Sequence, residues 1–241
     1  MGLEGGGIDR IPDAMRRPVE QFKEEVRGLA GSNGLALTLY GAIAADSFDP
    51  KRHTVRSVFV LKKVDLDMLR QLAKNGVKLG KAGIAAPVIM TPEYIEVSLD
   101  TFPLELIEIH QCHMTLFGED YFKTLSFNDD HIRHACEREL KSILIGMRQG
   151  LLAAAGREKL FATVEADMAE RLIRTLRGIL WIKGLKEPHP ALEVVSEVEK
   201  VLEFKLPGLK DVLLRAGEHG WEEFKLLYAE IEVLAEIVDA W

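Results

Sequence analysis

Apolar positions near the start of the chain recur at a helical spacing. Val19, Phe22, Val26 and Leu29 fall on one stripe, Pro18 suits a first turn and Gly31 is a stop signal, which predicts a helix over about Pro18–Ala30. Leu35–Tyr40 is a short apolar run that reads as a buried strand, and Val55–Lys62, rich in β-branched residues, reads as a second. Between them lies a loop, Gly41–His53, containing Asp49-Pro50. Asp65 can cap a helix carrying Leu66, Leu69, Leu72 and Ala73, which ends near Asn75-Gly76. A short strand is expected at Pro87–Met90, and Thr91-Pro92 then opens a helix as cap and first-turn proline. Phe102–Ile109 (FPLELIEI) reads as a strand, and Met114–Phe117 continues the sheet.

The pattern changes at about Asn128. Ile132, Ala135, Cys136, Leu140, Ile143, Leu144, Met147 and Leu151 make one long helical stripe. Further helices are predicted over Arg157–Lys183, Pro190–Phe204, Leu209–Arg215 and Trp221–Ala240, separated by brief Gly and Pro breaks. This layout predicts an α+β protein: a small mixed sheet with flanking helices over residues 1–127, then an antiparallel helical bundle over 128–241. The Gly-rich residues 1–12 are expected to fray.

Composition narrows the classes. The chain has 241 residues, 47% of them hydrophobic and 29% charged, which excludes global disorder and leaves enough chain for a sizeable core. No apolar run approaches the roughly 20 residues of a membrane helix. MGLEGGGIDR at the start has no apolar stretch flanked by positive charge, so no secretory leader is expected. Two cysteines, Cys112 and Cys136, do not form a disulfide framework and fit a reducing cytoplasm. The net charge of −7 argues against a general nucleic-acid partner. The charge is uneven, however. Residues 51–81 carry nine Lys or Arg against two acids, whereas residues 187–241 carry thirteen acids against five bases. A basic strip on an acidic protein can be a solvated face, or it can meet a phosphate-bearing ligand.

One segment carries specific wording. Leu35–Leu61 reads LALTLYGAIAADSFDPKRHTVRSVFVL. It resembles the signature region of the DNA polymerase β-like nucleotidyltransferase superfamily, which includes antibiotic nucleotidyltransferases and many small bacterial relatives. The family pattern is a strand, a Gly-Ser turn into a helix, a loop often containing Phe-Asp-Pro, and a second strand bearing Asp-x-Asp. The resemblance extends through Phe102–Ile109 and the phrase LFGED at 116–120, and a transferase domain followed by a helical bundle also resembles members of this group. It implies a nucleoside triphosphate ligand and Mg²⁺. Alternate residues of a strand share a face, so two carboxylates there and a third nearby can hold two dications that activate an acceptor hydroxyl and stabilise leaving pyrophosphate.

The chain departs from that pattern. Gly41 matches the glycine, but Ala42 stands at the serine position, and the Asp-x-Asp positions counted from Phe48-Asp49-Pro50 fall on Thr54-Val55-Arg56. Glu105 and Glu108 are the candidate third acids, and alternation along the expected strand leaves both open. One Glu cannot replace three acids around two dications, and the Arg56 cation would repel a metal. The resemblance therefore implies a transferase fold with degenerate metal chemistry. Gly41, Ala42, Lys51, Arg52 and Arg56 are its nucleotide-binding candidates, and Glu105 and Glu108 its remnant acids. Arg56 can meet a phosphate directly, face solvent, or pair with either Glu. Asp46, Asp49, Asp65 and Asp67 are the acids that could serve if the active site has migrated; loop and helix capping is the simpler role for Asp49 and Asp65. No catalytic residue and no resident metal are assigned. Mg²⁺ and a nucleoside triphosphate enter as cofactors only if the chain is an active transferase to a small-molecule or protein hydroxyl. The third open reading is an interaction module, with the helical bundle forming a homodimer or docking a protein partner.

Two further clusters, IHQCH (His110, Cys112, His113) and HIRHAC (His131, His134, Cys136), contain zinc-type ligands without a standard spacing. Boundary residues between elements are the simpler account. Trp181, Trp221 and Trp241 are expected to pack in or at the ends of helices.

Overall fold

The computed structural model describes residues 11–45, 48–50, 53–214 and 220–241. The chain divides into two compact units, one of Met1–Leu99 with Glu108–Ser126 and one of Asp100–Ile107 with Phe127–Trp241. The expected fraying of residues 1–12 falls mostly outside the described residues.

The first unit is built on a four-stranded mixed sheet in the order β3-β2-β1-β4. Strand β1 is Gly34–Tyr40, β2 Arg56–Leu61, β3 Val88–Met90 and β4 His113–Gly118. β1 pairs antiparallel with both β2 and β4, and β2 pairs parallel with β3. Helix α1, Asp13–Ala30, buries Met15, Val19, Phe22 and Val26. These pack in one core with Leu37 and Leu39 of β1 and Phe59 and Leu61 of β2. Each such fully buried side chain contributes about 1.5–3 kcal/mol relative to exposure. The opposite parity, Ala36, Thr38, Val58 and Val60, is also buried, so the central strands are covered on both faces. That explains their near-continuous apolar runs.

α1 begins five residues before the expected Pro18 start, because Pro12 precedes an extra turn that buries Met15. Pro18 therefore lies inside the helix. α2, Leu66–Ala73, starts at Asp65, whose side chain accepts the amides of Asp67 and Met68. α3 is Gly76–Lys81, and α4, Pro92–Val97, starts at Thr91 with its hydroxyl accepting the Tyr94 amide.

The expected strand at Phe102–Ile109 is a helix, α5, spanning Pro103–Gln111. Its apolar residues satisfy either period over so short a run: Leu104, Leu106, Ile107 and Ile109 are all buried. Pro103 at the first helical position is the helix signal in this segment. The strand expected just after it is present as β4. Gly118 ends β4 at φ +83°, and a β-carbon there would collide with the Leu35 carbonyl oxygen.

The second unit contains α6 (Asp129–Ala154), α7 (Phe161–Ile182), α8 (Ala191–Leu202), α9 (Pro207–Leu214) and α10 (Trp221–Asp239). Residue 215 of the expected fourth helix lies outside the described residues. The stripe Ile132, Cys136, Leu140, Ile143 and Met147 packs in one core with Leu172, Leu176, Val195, Leu227, Ile231 and Leu234. Trp181 packs edge-on against Phe127 at 5.3 Å, and Trp221 stacks on Phe224 at 6.1 Å. Two buried carboxylates organise the start of α9. Glu230 accepts the amides of Gly208 and Leu209, and Glu199 accepts that of Leu206. Among the described residues no helix is long and apolar enough to cross a membrane.

Candidate functional site

β1 ends at Tyr40, and the chain turns at Gly41 into a short 3-10 segment, Gly41–Ile43. Gly41 has φ +76°, a backbone conformation that favours glycine. Its N–H donates to the Cys112 carbonyl at 3.0 Å, and the Cys112 thiol faces the Gly41 carbonyl at 3.7 Å. The glycine bend is thus tied to the residue that precedes β4.

Sheet register then assembles the surroundings. Tyr40 pairs with Arg56 on β2 and with His113 on β4. The Arg56 guanidinium lies 4.8 Å from the centroid of the Tyr40 ring, a cation–π arrangement. It also packs against Gly41: a β-carbon on residue 41 would stand 2.5 Å from Arg56 Nη2. Arg56 forms a short ion pair with the Glu108 carboxylate of α5, and the two side chains are 27% and 16% exposed. The pair is therefore partly desolvated but open to water on one side.

The corner between α5 and β4 is held by His113. Its Nδ1 lies 2.8 Å from the Ile109 carbonyl oxygen, and its Nε2 lies 2.9 Å from the Asp120 carboxylate. Asp120 also accepts the amides of Phe122 and Lys123, and His110 Nδ1 lies 2.7 Å from the Phe122 carbonyl oxygen. The sequence reading does not single out Tyr40; it takes His113 only as a zinc-type ligand and Asp120 only as part of the phrase LFGED. The position of Tyr40 directly before the turn glycine is the one signal that could have drawn attention to it.

The sequence candidates separate clearly. Gly41, Ala42, Arg56 and Glu108 come together within the first unit. Glu105 does not join them; it is half exposed and pairs with Arg174 at 3.3 Å. Both acids sit on a helix, so strand alternation does not govern them. Lys51, Arg52 and Asp46 lie outside the described residues. Thr54 is exposed and Val55 buried, so Thr54 and Arg56 share a side of the extended chain. Asp49 is engaged in its own loop, where its N–H donates to His53 Nδ1 at 3.0 Å and its carbonyl accepts the His53 amide. Asp65 is a helix cap, and Asp67 is exposed.

Among the described residues, the donor set at the bend does not fit two divalent metals. The strands flanking β2 read GLALTLY and VIM and carry no carboxylate. Glu108 is an acid beside the turn that is already paired with a guanidinium. Among the described residues no group of three His, Cys, Asp or Glu side chains converges as a metal site. Of the histidine and cysteine clusters, His134 Nδ1 faces the Asp130 carbonyl oxygen, and Cys136 is buried, with its thiol pushed up to about 12 by burial and then by Glu139.

The mixed sheet, the glycine bend after β1 and the helical region that follows define a protein of the DNA polymerase β-like nucleotidyltransferase fold. Among solved structures the chain is similar to spectinomycin adenyltransferase AAD(9) from Enterococcus faecialis, determined with ATP and spectinomycin. The TM-score is 0.60 at 11% sequence identity, over 92% of this chain and 98% of that one. At that identity the likeness establishes the shared fold. No protein-family model matches the sequence, and no curated protein matches it.

Proposed function

We propose that this chain is a nucleotidyltransferase-fold protein that binds a nucleotide through its phosphates without two-metal catalysis. The observation that carries the reading is the Arg56 guanidinium held against Gly41, at the place where the sequence pattern of the fold calls for a metal-binding carboxylate. A guanidinium can bind phosphate oxygens directly, with geometry and charge matched to them. It cannot lower the pKa of an acceptor hydroxyl as a bound dication does, so binding is retained and nucleophile activation is lost. Ala42, Lys51 and Arg52 accompany Arg56 in this reading, and Glu108 is a remnant acid rather than a metal ligand.

The test is calorimetric titration of ATP with Mg²⁺ and again with EDTA. The expected result is binding that persists in EDTA and disappears on Arg56→Gln. Binding that strictly requires Mg²⁺ and proceeds to turnover would overturn the reading.

A second reading has one observation in its favour, the likeness to an antibiotic adenyltransferase over nearly the whole chain. On that reading the protein transfers a nucleoside monophosphate to a small-molecule or protein hydroxyl. Its acids would come from outside Thr54-Val55-Arg56, Asp46 among them. Transfer of radiolabel from an α-labelled nucleoside triphosphate to any acceptor distinguishes this enzyme from a binding protein.

A further inference from the structure

The geometry points to Glu108 as a resident anion: its carboxylate occupies the guanidinium that a phosphate would use, and a polyphosphate ligand binds by exchanging with it at Arg56. This rests on the reading of Arg56 as a phosphate-binding cation and adds a competitor built into the fold.

Arg56 does not depend on Glu108 for its position. The Tyr40 ring lies 4.8 Å from its guanidinium carbon, and the Gly41 backbone lies against its Nη2. β2 fixes its main chain by pairing Arg56 with Tyr40. Withdrawal of the carboxylate therefore leaves the cation seated and facing the same way. Glu108 is presented by a regular element. It lies within α5, next to buried Ile107 and Ile109, and the His113 ring holds the carbonyls of the last turn at 2.8 and 3.2 Å.

A carboxylate and a phosphate oxygen make the same kind of charge-assisted contact with guanidinium nitrogens. The two compete for one group, and the partial exposure of the pair gives an incoming anion access. A pyrophosphate or nucleoside polyphosphate carries more charge than the single carboxylate it displaces, so exchange is favourable for these ligands. It is much less so for a monoanion.

The experiment titrates the full-length chain with inorganic pyrophosphate in EDTA by calorimetry. Wild type is compared with Glu108→Gln, Arg56→Gln and the double variant. Glu108→Gln is expected to bind about tenfold more tightly than wild type, the scale of removing one charge-assisted competitor. Both proteins lacking Arg56 are expected not to bind. Glu108→Asp keeps the charge but shortens its reach, and it is expected to fall between wild type and Glu108→Gln. This variant retains the test if Glu108→Gln does not fold. Wild-type binding that is unchanged or weakened in both Glu108 variants overturns the resident anion and leaves the phosphate reading of Arg56 standing. Absence of pyrophosphate and ATP binding in every folded protein overturns that reading and the inference together.

Discussion

Gly41 and Arg56 are shaped to each other: the space in which residue 41 would carry a β-carbon is filled by the Arg56 guanidinium, 2.5 Å away. Gly41 also needs its positive φ. Gly41→Ala should therefore cost about 1–3 kcal/mol of stability, from left-handed backbone strain and from crowding of the guanidinium. Denaturant unfolding checks the stability, and pyrophosphate titration should show weaker binding as Arg56 is pushed from its seat.

Replacing both Thr54 and Arg56 by Asp should give the protein an affinity for Mg²⁺. The two positions share a side of the chain, and the change releases Glu108 from its cationic partner, so that three carboxylates can gather at the bend. Calorimetric titration with MgCl₂ is the measurement. No gain over wild type in a folded double variant would mean that these positions do not correspond to the metal-binding pair of the fold.

Glu165 of α7 is buried, and burial, with Glu223 adding repulsion, pushes its carboxyl up to about 7. The folded protein then holds a proton that the unfolded chain releases near pH 4.5. Between those values the native state binds more protons, so stability falls as pH rises from about 4.5 to about 7 and then levels. Each pKa unit of displacement corresponds to about 1.4 kcal/mol. Glu165→Gln should flatten this part of the profile, with its largest gain in melting temperature relative to wild type above pH 7. A profile unchanged by the substitution would remove Glu165 as the source.

Glu230 is 3% exposed and accepts the amides of Gly208 and Leu209 at the start of α9. Glu230→Ala orphans two buried N–H groups, each worth roughly 1–3 kcal/mol when left unsatisfied. The variant should lose several kcal/mol in denaturant unfolding, whereas Lys205→Ala, which removes an exposed partner of Glu199, should change stability by less than about 1 kcal/mol.

Local rules were sufficient wherever a segment has one buried face or a cap. The stripe Val19, Phe22 and Val26 is compatible only with a helix, and Asp65 and Thr91 mark helix starts because their side chains accept amides that the helix leaves open. Those rules failed at residues 102–111, where burial on more than one side erases the difference between periods of 2 and 3.6. The failure mattered for the site, because it put Glu105 and Glu108 on a strand and made parity the wrong question.

The sequence by itself determined which groups are available around the glycine bend, Gly41, Ala42, Thr54 and Arg56 among them. Its wording also identified the fold. Only the tertiary structure decided that Arg56 meets Glu108, that Glu105 turns to Arg174, and that Tyr40 on β1 stands between Arg56 on β2 and His113 on β4. The physical reason is range. Periodicity and capping depend on residues within a turn or a strand of one another, whereas Arg56 and Glu108 are 52 residues apart and meet because separate elements pack around one sheet.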